Sequence, residues 1–521
     1  MKKKLLKTLI GVCVLSFAFA VASCDFGATE TDTSPLEFEL REDSYAVVGM
    51  GTYDKGNLVI PSTYNGKPVT VIGASAFSAN RDVGTVTVPD SVTTIEEKAF
   101  YNCMNLSKVT LGGSVTDIEE KAFAKCSKIA EITGLESVVS VGQSAFDGCQ
   151  RLKKAEFSDE LVTIAGGAFM NCYALETVTL SKSLEVIGMR AFYDCTALKS
   201  LVIPDGAPTD IMSEAFYGTF TETKSLGCKS LEYVYLGDSV LSIGKSAFES
   251  CSMLREVVLG DGLVSIGESA FSGCRKIYQI TLGQALQTIG TQAFSKCQRL
   301  AEIYNRSSLP IDDSLVGATN EAGDIYGDIC KYIIDVRTGD EPTKISKDEN
   351  GLVYYTDGDS KMLISIGFKE GGVLTVPNDV TEIRRYAGYN EQLIYGVIIG
   401  DNCTYIGASA FQNSYRIEFV KLGKNMTRLA NQVFYNNINL TTIVIGTELE
   451  TVGNSAFKKK DDEYNKYEMI YFEGTKADWN NISFGTGNDI LAVARAYYSE
   501  EEPTQDGNFW HYVDGEPTLW E

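Results

Sequence analysis

The stretch Cys103-Met104-Asn105-Leu106-Ser107-Lys108-Val109-Thr110-Leu111-Gly112-Gly113-Ser114-Val115-Thr116-Asp117-Ile118-Glu119-Glu120-Lys121-Ala122-Phe123 is one unit of a pattern that fills most of the chain. Ala-Phe pairs end at Phe77, Phe100, Phe123, Phe146, Phe169 and Phe192, each 23 residues after the last. Phe216 follows after 24 residues and Phe248 after 32, and the period of 23 returns at Phe271 and Phe294. Beyond a gap it resumes at Phe411, Phe434 and Phe457, with Val433 once replacing alanine and Ala387-Gly388 in phase without a phenylalanine. A fixed period of this length is the signature of a repeat architecture. Within the unit, Val109 and Leu111 alternate as strand residues with one face inward. Gly112-Gly113-Ser114 turns the chain, and Val115 to Ile118 reads as a second short extended segment. Glu119 to Phe123 suits one helical or 3-10 turn that drops phenylalanine into the core. No unit can bury its apolar groups alone, whereas stacked units can. The expected fold is therefore a β-rich repeat solenoid of short parallel strands and short helical or 3-10 turns, in two stacks separated by an interlude.

The unit, written C-x-x-L-x-x-V-x-L-x-x-x-V-x-x-I-x-x-x-A-F, resembles the leucine-rich repeat of BspA-like bacterial surface proteins. The resemblance runs from about Tyr45 to Tyr498. It includes the opening stretch Leu58-Val59-Ile60-Pro61 with Tyr64 to Val69, and a closing stretch Tyr471 to Thr475 followed by Trp479 and Ile482. It implies a non-catalytic module that binds an extracellular or host-surface protein, and a role in adhesion.

The N-terminus supplies an address. Met1 to Lys7 is basic, Leu9 to Val21 is apolar, and Val21-Ala22-Ser23-Cys24 ends on a cysteine after small residues. That order is a signal peptide, and the run is too short for a convincing membrane span. The last four residues resemble the lipobox of bacterial lipoproteins, which implies lipidation at Cys24 and an exported protein anchored at the bacterial envelope and exposed on the cell surface. The expected organisation is a signal peptide at 1–23, an acidic tether at 24–44, a first stack at 45–308 and an interlude at 309–350. A second stack at 351–470, a capping module at 471–499 and an aromatic tail at 500–521 complete it. Within this scheme the runs Gly351 to Tyr355 and Lys361 to Ile364 read as a hairpin around Thr356 to Ser360.

Among 521 residues there are 46 Lys+Arg, 69 Asp+Glu, 13 Cys and a single His, for a net charge of −23. Removing Lys2, Lys3, Lys4 and Lys7 with the leader leaves 42 basic residues against 69 acidic, or −27. Such a chain repels phosphate backbones, so nucleic acid is not an expected partner, and membrane contact is expected only through the lipid. His511 as the lone histidine removes multi-histidine metal sites. No P-loop, G-x-S-x-G, H-E-x-x-H or dinucleotide fingerprint occurs. Neither catalytic residues nor a cofactor or metal site is expected.

Cys103, Cys126, Cys149, Cys172 and Cys195 are 23 apart, as are Cys228, Cys251, Cys274 and Cys297. They should form a ladder of one thiol per coil. Such a ladder cannot surround a metal tetrahedrally, and nine rungs leave one unpaired if adjacent rungs form disulfides. A small, buried, polarisable filler is the favoured reading.

Two features mark where function could sit. Extra residues enter between Phe216 and Cys228, and insertions in a solenoid map to surface loops. On the outward strand row of Thr110, the middle coils carry Val202, Tyr235, Val258 and Tyr304, with Tyr233 two residues before Tyr235. This group is the candidate partner-binding patch; the alternative is cross-strand packing that stiffens the sheet. The other functional readings are a passive structural envelope lipoprotein and a hydrolase within the interlude, for which about forty residues are too few.

Overall fold

A computed structural model describes residues 36–217, 227–311, 332–339, 341–367, 371–460, 469–492, 495–504 and 507–520. The repeat builds a parallel β-solenoid. The strand Lys108–Thr110 lies between Thr85–Thr87 and Glu131–Thr133 in parallel, placing Val86, Val109 and Ile132 in one inward row. The two-residue strand Asp117–Ile118 stands between Thr94–Ile95 and Ser140–Val141, aligning Ile95, Ile118 and Val141. This second face runs unbroken as part of a 13-stranded sheet, whereas the first face divides into shorter sheets. One division follows Glu131–Thr133, where Gly134 takes the place of Leu111 at φ 85°. A Cβ there would lie 2.1 Å from the Leu111 carbonyl oxygen, so only glycine fits.

The third side of each coil departs from expectation. Glu119 to Phe123 and its equivalents form tight turns, not helical or 3-10 turns. Lys98, Asn102, Lys121 and Lys125 all have φ between 55° and 62°. Single left-handed residues cost roughly 1 kcal/mol each. Here they point alternate amides along the solenoid axis: Lys98, Phe100 and Asn102 N–H donate to the carbonyls of Glu120, Ala122 and Ala124 at 2.7–2.9 Å. A helical turn would direct those amides back along its own coil and leave the stacking direction unbonded.

Inside, the phenylalanines stack from Phe77 to Phe294 with ring centroids 5.0–5.4 Å apart. Phe411, Phe434 and Phe457 repeat the stack in a second core. That core runs from Leu352 to Leu491 and the first from Leu36 to Tyr332. At Gly388, where the phenylalanine is missing, a Cβ would meet the Phe411 ring at 2.7 Å and Ile366 at 2.9 Å. Ile366 thus occupies the space at the head of the second stack.

Both stacks open with the same device. Glu37–Arg41 and Ser44–Gly49 form an antiparallel hairpin whose second strand joins Lys67–Ile72 in parallel. Leu352–Asp357 and Ser360–Ile366 form another, whose second strand joins Glu382–Ile383 in parallel. Each hairpin covers the exposed core of a first coil, as terminal units of a solenoid require. The strand Glu37–Arg41 lies within the stretch expected as tether, and Asp335–Thr338, expected in the interlude, adds a parallel strand to Glu302–Asn305.

At the far end, Thr475 and Asp478 form a capping box for the helix Lys476–Asn480. This seats Trp479, 4% exposed, edge-on against Phe472. The tail is folded onto the same end: Phe509–Val513 pairs with Arg495–Tyr498 and with Glu516–Leu519. Trp510 is fully buried and its Nε1–H donates to the Phe472 carbonyl at 2.9 Å. His511 stacks on Trp520 with centroids 3.7 Å apart.

Candidate functional site

Strand register brings part of the expected patch together. Val202 pairs with Tyr235, and Tyr235 with Val258, on three adjacent strands. Val202 is 46% and Val258 37% exposed, and the half-buried rings of Tyr233 and Tyr235 rise from the strand between them. Burial raises both phenol pKa values, so these tyrosines present neutral hydroxyls. Tyr304 is placed differently. It pairs with Thr281, its hydroxyl donates to the Gly339 carbonyl at 2.7 Å, and the Arg337 guanidinium lies 3.5 Å above its ring. The interlude strand that recruits Arg337 was not foreseeable from the repeat, and it covers one face of Tyr304. The exposed row is therefore Val202, Tyr235 and Val258, with Tyr233 beside it. Cys24 and residues 218–226 of the insertion lie outside the described residues.

The nine ladder cysteines are buried free thiols. Each Sγ–H donates to the carbonyl of a phenylalanine one coil back, as from Cys103 to Phe77 at 3.0 Å and from Cys274 to Phe248 at 3.2 Å. Burial pushes the thiols of Cys172, Cys195, Cys251 and Cys274 well above the usual range, with neighbouring rungs adding to the effect. Protonated and inaccessible thiols are poor nucleophiles and poor metal ligands. Among the described residues no group of three or more His, Cys, Asp or Glu side chains is placed to hold a metal ion.

The same ladder position in the second stack holds Glu391, Ser414 and Asn437. The Ser414 hydroxyl donates to the Gly388 carbonyl at 2.8 Å, reproducing the cysteine bond. Glu391 instead opens a polar seam between the stacks. Its Oε2 is 3.5 Å from the Lys276 ammonium, with side chains 4% and 8% exposed. Arg299, 2% exposed, donates through Nε to Tyr386 O at 3.0 Å, through Nη1 to Ser365 Oγ at 3.2 Å and through Nη2 to Tyr389 O at 3.3 Å. Arg384 donates back to the carbonyls of Arg299, Leu300 and Tyr332. Beside these, Ala301, Val353, Tyr355 and Ile364 form a small apolar cluster shared by both sides. Burial, with the nearby charge of Arg299, lowers the Lys276 pKa to about 8, and burial lowers that of Arg299 to about 10.

Outside the buried seam, a cleft of about 400 Å³ is lined by residues of both stacks. Its cations are Arg275, Lys276, Lys296 and Arg299, against Glu249 as the lining carboxylate. The repeat pattern missed this site because lysine or arginine also occurs at the Lys276 position in ordinary coils, at Lys128 and Arg151. The one available signal was Glu391, an acid in the position held by cysteine along the first ladder and by Ser414 and Asn437 in the next two coils.

A profile for the BspA type leucine rich repeat region (6 copies) matches residues 57–172, 132–226, 222–316 and 372–469, more than half of the chain. Comparison with curated protein sequences gives no match. Among solved structures, a leucine-rich repeat protein from Bacteroides ovatus is similar at 19% identity and a TM-score of 0.44, covering 87% of this chain and 99% of that one. A leucine rich cell surface protein from Faecalibacterium prausnitzii is similar at 21% identity and a TM-score of 0.28, with 87% and 97% covered. The pneumococcal vaccine antigen PcpA is similar at 14% identity and a TM-score of 0.30, with 90% and 86% covered. No helix among the described residues is long and apolar enough to cross a membrane.

Proposed function

The chain belongs to the BspA-type leucine-rich repeat proteins, and from that premise we propose that it is a non-catalytic adhesion module, a lipoprotein exported and held at the bacterial envelope through Cys24. Its solenoid engages an extracellular or host-surface protein. The observation that carries this reading is the row Val202, Tyr235 and Val258, in register on three neighbouring strands, with the two valines exposed and Tyr235 half-buried between them. Rigid strands hold these side chains at fixed spacing, so little conformational entropy is lost when a partner covers them. Aromatic and aliphatic groups in one line supply the apolar centre that a protein interface needs.

Tyr235→Ala combined with Val258→Ser tests the row. Adhesion of cells to immobilised matrix proteins should fall on the order of 10-fold or more, while the thermal transition stays within about 2 °C. Adhesion equal to wild type, with the protein folded and expressed, would favour a passive structural role in the envelope. The anchor is tested by metabolic labelling with a fatty-acid probe: label that persists in Cys24→Ala rules out lipidation at this residue.

A further inference from the structure

We propose that the cleft between the two stacks is a second binding site, separate from the strand face, which takes an acidic saccharide of about disaccharide size. The chain carries a net charge of −23, yet the cleft collects Arg275, Lys276, Lys296 and Arg299 against Glu249. Charge of the opposite sign to the whole, concentrated in a concave site, is an electrostatic focus for an anion. Lys296 is exposed and forms no ion pair among the described residues, and Lys276 shares a single carboxylate with the seam. Arg299 is committed to backbone and hydroxyl oxygens, so its role is to add field and fix the wall.

The remaining lining selects the ligand class. Ser250, Ser252 and Ser272 with Gln298 and Asn390 offer hydroxyls and amides, and the Gln298 amide oxygen is buried without a hydrogen-bond partner. Hydroxyls and amides both donate and accept, which matches the hydroxyls of a sugar, whereas a bare sulfate ion can only accept. Tyr217 and Tyr389 also line the cleft, with the Arg275 guanidinium over the Tyr389 ring, and Met253 is the lone aliphatic side chain of the lining. A peptide would need more apolar surface for anchoring. The volume of about 400 Å³ lies at the small end of ligand pockets. Carboxylate and sulfate groups share the required charge, and the test separates them.

Titration calorimetry on the full-length chain uses four probes at millimolar range: a hyaluronan disaccharide, a chondroitin sulfate disaccharide, neutral lactose, and a triglutamate peptide. Either acidic disaccharide should bind at least 10-fold more tightly than lactose and the peptide, weaken with added salt, and lose on the order of 10-fold in Lys296→Glu. The tighter of the two identifies the anionic group. Tyr235→Ala should bind the disaccharide like wild type, which separates this site from the adhesion row. Lactose binding as well as the acidic sugars, the peptide binding as well as either, unchanged affinity in Lys296→Glu, or no heat from either acidic disaccharide would each overturn the proposal.

Discussion

Replacing Glu391 by glutamine removes the carboxylate that faces Lys276 across the seam, while keeping shape and hydrogen-bonding capacity. The two side chains are 4% and 8% exposed and 3.5 Å apart, and Arg299 at 2% exposure lies in the same field. Deleting one partner of a buried pair leaves uncompensated charge and costs about 3–5 kcal/mol. The contacts that join the stacks converge here, so the loss should appear as decoupling: calorimetry should show the second stack unfolding earlier, by roughly 10 °C for a unit of this size. Lys276→Met with Glu391→Gln together should recover most of the loss, because an uncharged pair of similar volume leaves no buried charge without a partner. The pH dependence has a definite sign. Lys276 falls to about 8 in the fold from an ordinary 10.5. Between those values the unfolded chain holds the proton that the folded chain has released, so stability rises with pH. The full relief is about 3 kcal/mol. Lys459, also lowered to about 8 by burial, acts in the same direction, so the measurement is the difference between wild type and Lys276→Met. A single, unshifted transition in Glu391→Gln, or identical pH profiles for wild type and Lys276→Met, would refute the reasoning.

Other perturbations probe the coil itself. Phe146→Ala removes a ring held between Phe123 at 5.4 Å and Phe169 at 5.2 Å and should cost about 3–5 kcal/mol. Hydrogen exchange should quicken in the adjoining coils only, because each coil contacts only its neighbours; acceleration spread evenly from Phe77 to Phe294 would contradict this. Cys172→Ser keeps a donor for the Phe146 carbonyl and should cost about 1 kcal/mol, against about 1–3 kcal/mol for the overpacked Cys172→Leu. Chemical denaturation ranks the two, and a larger loss for serine counts against the hydrogen-bonded ladder. Trp510→Ala should free the tail, so that limited proteolysis cuts the last strands before the solenoid; a cleavage pattern like that of wild type would mean the tail is held elsewhere.

Much of the molecule was legible from residues 23 apart. Val109 and Ile118 point inward because every coil repeats an apolar residue there, and the cysteines line up because identical positions stack. The hairpin at Leu352 to Ile366 was equally readable, from two apolar runs around a turn. The turn geometry was not: Lys98 and Lys121 have nothing in their side chains that announces a positive φ. They adopt it because amides on that side must bond the next coil. Tyr304 looked like part of an open row until Arg337, from a segment without the repeat, covered it.

The sequence by itself determined the solenoid, its inward rows and the alignment of the cysteines into a ladder, since contacts between equivalent positions recur at one separation and declare themselves as a period. Only the tertiary structure decided the seam and its basic cleft. The bonds and the ion pair that make it join residues 52 to 115 apart, from Arg384 with Tyr332 to Lys276 with Glu391. Each occurs once, and a contact made once leaves no periodic trace. What places Lys276 beside Glu391 is the stacking of one complete core on the head of another.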